Sequence, residues 1–266
     1  MSLFQKQLLW TTLLCASFLI GCFTRWQMEL ALPFLGAIAS ISVLLAALPS
    51  FVQFLKTHRS PQGIIALLGL GVFALGIEIL GVQTGFPYGV FAYHPTLHAQ
   101  LVFGVPWTTP FGWLPLVFAS HIVAQTITRK DQTVKPLLLA LSILVGMDLV
   151  LDPGAVSLGL WRYAQGGLYY SIPLSNFFGW LLSGTLALFA VIKIHRQTSV
   201  KLMDRFYTLL GPASLLSFWV GFVAVAAQVI PTVIGIILII LFSIISLSKP
   251  SQSSRSAARK ESNPPK

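Results

Sequence analysis

The sequence predicts an all-α integral membrane protein, a polytopic bundle of about eight transmembrane helices with both termini in the cytoplasm. Of its 266 residues, 55% are hydrophobic and only 9% are charged, and the mean hydropathy is +0.81. Soluble domains carry roughly 25% charged residues. The apolar residues are also grouped into stretches close to the ~20 residues that cross a bilayer as a helix.

Eight such stretches follow one another, separated by charged or turn-forming residues. They cover residues 8–24, 30–55, 62–82, 111–128, 136–151, 176–194, 208–228 and 230–247. Residues 1–248 are therefore interpreted as a single membrane domain. Residues 249–266, rich in Ser, Lys, Arg and Pro, predict a disordered basic cytoplasmic tail.

The positive charges predict the orientation, because short cytoplasmic loops retain Lys and Arg. With the amino terminus inside, only Arg25 and Arg162 of the 17 basic residues fall outside. The net charge of +10 is thus an orientation signal and an attraction for anionic lipid headgroups, not a surface for nucleic acid. We expect a bacterial-type plasma or internal membrane. The sequence carries no signal of oligomeric state.

The first span has a second interpretation, because Lys6, the apolar run and the segment ending in Cys22 also resemble a lipoprotein signal. We favour a retained span. The other cysteine, Cys15, lies in the same span, so the two cysteines predict neither a disulfide framework nor a metal site.

Two connections on the non-cytoplasmic side are unusually apolar and aromatic. Residues 81–110 contain no charged residue, and residues 152–175 contain a single cation, Arg162. Irregular backbone of this kind is tolerated near a membrane only when it is buried in protein or lines a cavity. The aromatic residues could form an ordinary interfacial belt. Because the cytoplasmic connections lack such a cluster, we favour a pocket for a long apolar ligand near the non-cytoplasmic face.

Three of the seven acidic residues, Glu78, Asp148 and Asp152, lie inside or at the ends of apolar runs. Ionisable groups at membrane depth are costly and usually functional. Glu78 and Asp148 should share a level, and Asp148 and Asp152 should share a helix face if the helix persists to Pro153. Burial, mutual repulsion and the helix dipole favour the neutral form of these three acids. Arg162 is the one nearby cation that could pair with one of them.

The structural alternative is that Asp152 ends a helix before Pro153 and that Glu78 bonds a backbone group or a tyrosine hydroxyl. The histidines are weaker candidates. We expect His58 and His195 to be solvated at cytoplasmic ends, while His121 lies inside the fourth span. His94 and His98 have a spacing that could ligate a metal, but hydrogen bonding within the loop is favoured, and we predict no metal.

Several motifs together resemble the integral-membrane carotenoid biosynthesis proteins of the CruF type, over roughly residues 62–195. These motifs are Glu78-Ile-Leu-Gly-Val-Gln-Thr-Gly-Phe-Pro-Tyr-Gly89, Gly104-Val-Pro106, Asp148-Leu-Val-Leu-Asp-Pro153, Gly159-Leu-Trp161, Tyr169-Tyr170 and Asn176-Phe-Phe-Gly-Trp180. The resemblance implies a cofactor-independent 1,2-hydratase. Such an enzyme adds water to the acyclic ψ end of a carotene of the lycopene or γ-carotene type and gives a tertiary 1-hydroxy carotenoid.

Alkene hydration needs a general acid, a pocket that tolerates a carbocation, and an oriented water. We assign Asp148 as proton donor, Asp152 as its partner and water positioner, and Glu78 as a third acid that tunes their proton affinity. The two aspartates could exchange roles. The predicted substrate pocket consists of Phe86, Tyr88, Tyr93, Trp107, Trp161, Tyr169 and Tyr170, with Asn176 as a water ligand.

Two other functions remain open at this stage. A proton-coupled isoprenoid or lipid transporter would use buried acids as a relay and should show internal repetition. Only a short echo exists, Gly76-Ile-Glu78 against Gly146-Met-Asp148. A non-catalytic carotenoid-binding subunit would explain the aromatic residues but not the three buried acids.

Overall fold

The protein is a bundle of eight helices in the computed structural model, which describes residues 1–27, 35–58, 61–94, 101–128, 134–198 and 203–248. The helices are α1 (Leu3–Trp26), α2 (Leu35–Thr57), α3 (Pro61–Thr84), α4 (Thr109–Ile127), α5 (Val134–Leu158), α6 (Leu174–Thr198), α7 (Arg205–Val225) and α8 (Val229–Leu247). Each corresponds to one of the eight predicted apolar stretches. The predicted tail, residues 249–266, lies outside the described residues.

Seven of these helices are long and apolar enough to cross a membrane, and α4 is not among them. The helix α4 lies in the interior instead, where it packs against α2, α3, α5 and α7. Its residues from Trp113 to Ala124 are all buried. A helix shielded by its neighbours can carry polar groups such as Ser120 and His121, which explains its weaker apolar character.

Two prolines inside helices leave a carbonyl group without its usual partner, and a side chain from elsewhere supplies the hydrogen bond. Pro153 of α5 has no N–H for the carbonyl of Leu149, and the hydroxyl of Tyr169 donates to that oxygen at 2.8 Å. Pro212 of α7 likewise has no N–H for the carbonyl of Thr208, and the hydroxyl of Ser50 donates to that oxygen at 2.9 Å.

The structural alternative for Asp152 required α5 to end before Pro153. The helix instead continues to Leu158. The freed carbonyl is satisfied locally, so the proline is tolerated within the span.

The two aromatic loops pair with each other by short strands, which the all-α prediction did not include. Strand β1 (Phe91–Tyr93) and strand β4 (Trp161–Tyr163) are antiparallel, while β2 (Leu101–Val102) and β3 (Val105–Pro106) form a separate pair. Strand β1 packs on α3 and β4 packs on α5. The loops that follow α3 and α5 thus form one joined structure at the same end of the bundle, which we call the loop end.

Candidate active site

A cavity of about 210 Å³ lies near the loop end, where α2 to α7 all contribute to its wall. Glu78 of α3 and Asp152 of α5 both line it, so two of the three predicted carboxyl groups face the same space. Asp148 is fully buried one turn earlier on α5, behind this wall. Most of the other lining residues are aromatic or aliphatic, which makes this an apolar cavity with two acids in its wall.

Asn176, at the start of α6, holds the two aspartates together. Its Nδ2 atom donates to Oδ2 of Asp148 at 3.0 Å and to Oδ2 of Asp152 at 2.7 Å. The shared amide donor brings the two Oδ2 atoms close together.

Two tyrosines from the paired strands contact the carboxyl groups that line the cavity. The hydroxyl of Tyr163 donates to Oδ2 of Asp152 at 3.0 Å, and the hydroxyl of Tyr93 donates to Oε1 of Glu78 at 2.5 Å. Burial raises the pKa of both phenols, and the nearby acids, Glu78 for Tyr93 and Asp152 for Tyr163, raise it further. Both tyrosines are therefore hydrogen-bond donors over the whole physiological pH range.

The register of β1 and β4 produces an aromatic wall beside the acids. Phe91 pairs with Tyr163 and Tyr93 pairs with Trp161, with ring centroids 5.6 Å apart in each pair. Alternate residues of a strand point to opposite faces, and Arg162 is exposed on the other face. The cation that could have paired with an acid therefore points away from the cavity.

Tyr88 fills the space between two helices beside this wall. A methyl group at Gly81 of α3 would come within 2.7 Å of its ring, and one at Gly179 of α6 within 2.3 Å. Both positions therefore need glycine for the ring to fit. The buried Tyr88 lines the cavity and joins α3 to α6.

Of the eleven residues predicted for the site, six line the cavity: Glu78, Asp152, Tyr88, Tyr93, Trp161 and Asn176. Asp148 contacts the cavity wall from behind. Phe86 and Trp107 are exposed, and Trp107 packs on Phe111. Tyr169 bonds the carbonyl of Leu149, and Tyr170 packs on the ring of Tyr169 at 4.9 Å. These last four aromatic residues lie outside the cavity lining.

Comparison with known proteins gives the family. The carotenoid biosynthesis protein family matches residues 35–242. The chain belongs to this family. The match is wider than the motifs in residues 62–195 and includes α2, α7 and most of α8.

A curated relative is bisanhydrobacterioruberin hydratase of Haloarcula japonica, to which the chain is 40% identical over 125 residues. The aligned region covers 46% of this chain and 42% of that protein, so the chain matches less than half of the relative's length. No solved structure matches the chain.

The cavity is also lined by residues that the sequence did not single out for the site. Phe91 and Tyr163 line the cavity from the paired strands, and Trp113, Trp180 and Trp219 line it from α4, α6 and α7. The alternation in Phe91-Ala-Tyr93 and Trp161-Arg-Tyr163 is a strand signal that could have identified the first two. The three tryptophans lie within apolar helices, where no local pattern separates a cavity face from a packed face.

The prediction that His58 and His195 are solvated is wrong. His58 is 2% exposed and His195 is half-buried, with their ring centroids 4.8 Å apart. His121 packs on His195 at 5.0 Å. The charges beside His58 and His195 in the sequence misled the prediction, because these helix ends pack against α4. Within the described ranges, no group of three or more His, Cys, Asp or Glu side chains is arranged to hold a metal ion. His98 lies outside those ranges.

Proposed function

We propose that this protein adds water across the terminal C1=C2 double bond of an acyclic, ψ-type carotene end and gives a tertiary 1-hydroxy carotenoid. One observation carries the proposal: in a member of the carotenoid biosynthesis family, two carboxyl groups from different helices line one apolar, aromatic cavity. The relative named as a hydratase supports the same reaction type.

Asp152 is the proton donor in this proposal, because it faces the cavity whereas Asp148 lies behind it. The proton donor is thus Asp152 and not Asp148, the assignment from the sequence, and Glu78 takes over the positioning of water. Oδ2 of Asp152 accepts hydrogen bonds from Asn176 and Tyr163. The reactive proton is therefore carried by Oδ1 of Asp152. Asp148 lies beside Asp152 on the shared amide of Asn176, and repulsion between two buried carboxylates favours a pair that carries one proton.

The reaction begins when Asp152 transfers its proton to C2 and leaves a tertiary carbocation at C1. The rings of Phe91, Trp161 and Tyr163 line the cavity and stabilise this cation with their negative faces. A water held by Glu78 attacks C1, and its surplus proton passes to the Glu78 carboxylate. That proton returns to the aspartate pair before the next turnover. The net reaction joins one alkene and one water and uses no cofactor.

In the orientation that the basic residues predict, the cavity lies near the non-cytoplasmic face and both termini lie in the cytoplasm. Lipids surround the apolar helices, and the carotene reaches the cavity from the membrane. Besides water, the mechanism requires the acyclic-ended carotene as its partner.

The proposal is tested by expressing the protein in a bacterial host that accumulates lycopene, grown in water labelled with heavy oxygen. We expect a new, more polar pigment whose tertiary alcohol carries the label from water. The same host without the gene is the control. A new alcohol without the label would show instead that its oxygen came from molecular oxygen, as an oxygenase requires. A protein present in membranes at normal abundance without a new pigment would contradict the proposal and favour transport or binding.

A further inference from the structure

Of the described residues that line the cavity, Gly112 near the start of α4 is the one without a side chain. Alanine is favoured over glycine inside a helix, so a glycine there calls for a physical reason. The usual reason is a neighbour that leaves no room for a methyl group. Gly154 of α5 has such a neighbour, because a methyl there would lie 2.4 Å from the Trp219 ring, and Gly179 has one in Tyr88.

Gly112 has no neighbour of this kind. Apart from the adjoining backbone of α4, a methyl group at Gly112 would meet one atom within 4 Å, Cγ1 of Val43 at 3.8 Å, which is ordinary van der Waals contact. Both residues also border a crevice of about 10 Å³ between α2, α4 and α7, but a methyl in so narrow a space would touch several atoms. The free space beside Gly112 therefore belongs to the cavity.

The width of this space is fixed by the packing of α2 on α4. The ring of Phe51 stacks on Phe111 with centroids 5.4 Å apart, and the ring of Phe54 stacks on Phe118 with centroids 4.9 Å apart. Two aromatic stacks between the same two helices hold α2 in place. We therefore expect that α2 does not move aside to restore volume lost at Gly112.

The cavity is small enough for one methyl group to matter. An apolar cavity of about 150 Å³ in another protein binds one benzene molecule, so a cavity of about 210 Å³ accommodates on the order of eight carbon atoms. That is the size of a reacting end group and little more. An acyclic ψ end also carries methyl branches at C1 and C5, which make it wider than an unbranched chain.

We propose that Gly112 sets the size of the end group that the site accepts, because it leaves the space in which a methyl branch of the acyclic end lies. This inference rests on the proposed hydratase function and adds to it the part of the wall that selects the substrate. A methyl at Gly112 would have no atom of Glu78 or Asp152 within 4 Å. Residue 112 therefore acts on the fit of the substrate and not on the acids.

Gly112→Ala provides the test, because it removes the space without a clash in the fold. Gly71→Ala is the matched control, since a methyl at Gly71 of α3 meets only Pro110, at 3.9 Å, and Gly71 does not line the cavity. Abundance in membranes and the melting temperature in detergent are measured for both variants. Neither variant should melt below the wild type.

The activity assay uses lycopene and yields kcat/KM for each protein. One methyl group in an apolar pocket typically changes kcat/KM by about 10–200-fold, so Gly112→Ala should lower it by about tenfold or more. Gly71→Ala should stay within about twofold of the wild type, as expected for a site that does not contact the substrate.

A second substitution distinguishes lost space from any other effect. Val43→Ala removes the one atom that the added methyl would meet, and so it widens the cavity where Gly112→Ala narrows it. The loss caused by Gly112→Ala should therefore shrink to about threefold or less when Val43→Ala is already present, which is the non-additivity expected of neighbours that share a space. Val43→Ala alone is the reference for this comparison.

The contrary results separate this inference from the proposed function. Wild-type kcat/KM in Gly112→Ala would overturn the role of Gly112 and leave the hydratase function standing. A fall in melting temperature or abundance that Gly71→Ala does not share would overturn it too, because packing would then require the glycine. The same holds for an equal loss with and without Val43→Ala. A wild type that does not hydrate lycopene would overturn the proposed function itself, and this inference with it.

Discussion

The hydroxyl of Tyr169, in the loop that follows α5, donates a hydrogen bond to the carbonyl oxygen of Leu149 within that helix at 2.8 Å. That carbonyl is the one that Pro153 leaves without an N–H partner. The bond satisfies the backbone of α5 between Asp148 and Asp152, so it supports the helix that carries both acids. We therefore expect Tyr169 to act on the site through the backbone and not through contact with the substrate.

Tyr169→Phe should reduce stability more than turnover. A buried carbonyl that loses its donor costs about 1–3 kcal/mol, so the melting temperature in detergent should fall. The rate per folded molecule should remain within a few-fold of the wild type. Tyr170→Phe is the control, because the Tyr170 ring packs on Tyr169 without this bond to α5. A large loss of rate at an unchanged melting temperature would show that Tyr169 contacts the substrate.

Gly179→Ala should destabilise the protein and disturb the cavity. The added methyl would lie 2.3 Å from the Tyr88 ring and would push it out of place, at a cost of about 1–3 kcal/mol. Gly76→Ala is the matched control, since a methyl at Gly76 of α3 meets nothing within 4 Å. Thermal unfolding of both variants in detergent measures the difference. Equal melting temperatures for the two variants would mean that Tyr88 is not clamped between α3 and α6.

Two tryptophans of the aromatic loops should differ in their effect on the reaction. Trp161 lines the cavity, whereas Trp107 is exposed and packs on Phe111. Cation–π contacts are worth about 0.5–2 kcal/mol, so Trp161→Leu should slow turnover about twofold to thirtyfold. Trp107→Leu should leave turnover nearly unchanged. Hydration rates corrected for membrane abundance provide the comparison. Equal losses in rate and abundance for both variants would favour a simple interfacial belt.

The sequence predicted the elements of this fold better than their details. Hydropathy located all eight helices, and seven of them are long and apolar enough to cross a membrane, because a span must be apolar whatever it packs against. It could not show that α4 is enclosed by other helices, since this depends on tertiary packing. It also left open how far α5 runs past Asp152, because the partner that makes Pro153 tolerable, Tyr169, is distant in the sequence.

For the candidate site, the acids were identifiable because a carboxyl group in an apolar run is unusual wherever it lies. The sequence could not show which acid faces the cavity, since Asp148 and Asp152 share one helix face and differ only in depth. The aromatic residues of the loops were too numerous to sort by composition. The pairing of β1 with β4 separates Trp161 and Tyr163, which line the cavity, from Phe86 and Trp107, which do not.

Tyr163→Phe should lower kcat with little change in KM. It removes the donor that, together with Asn176, occupies Oδ2 of Asp152, while keeping the aromatic ring in the wall. A hydrogen bond to such a group is worth about 1.5–3 kcal/mol, so kcat should fall between about tenfold and a hundredfold. A rise in KM at constant kcat would indicate instead that the hydroxyl only binds substrate.

The most direct test is the hydration rate of Asp152→Asn, compared with the wild type at equal abundance in membranes and with lycopene as substrate. Asparagine keeps the size of the side chain and removes its acidic proton. The proposed mechanism predicts that formation of the 1-hydroxy product falls by about 10²–10⁴-fold, the usual contribution of a general acid. Product formation at the wild-type rate in Asp152→Asn would contradict it.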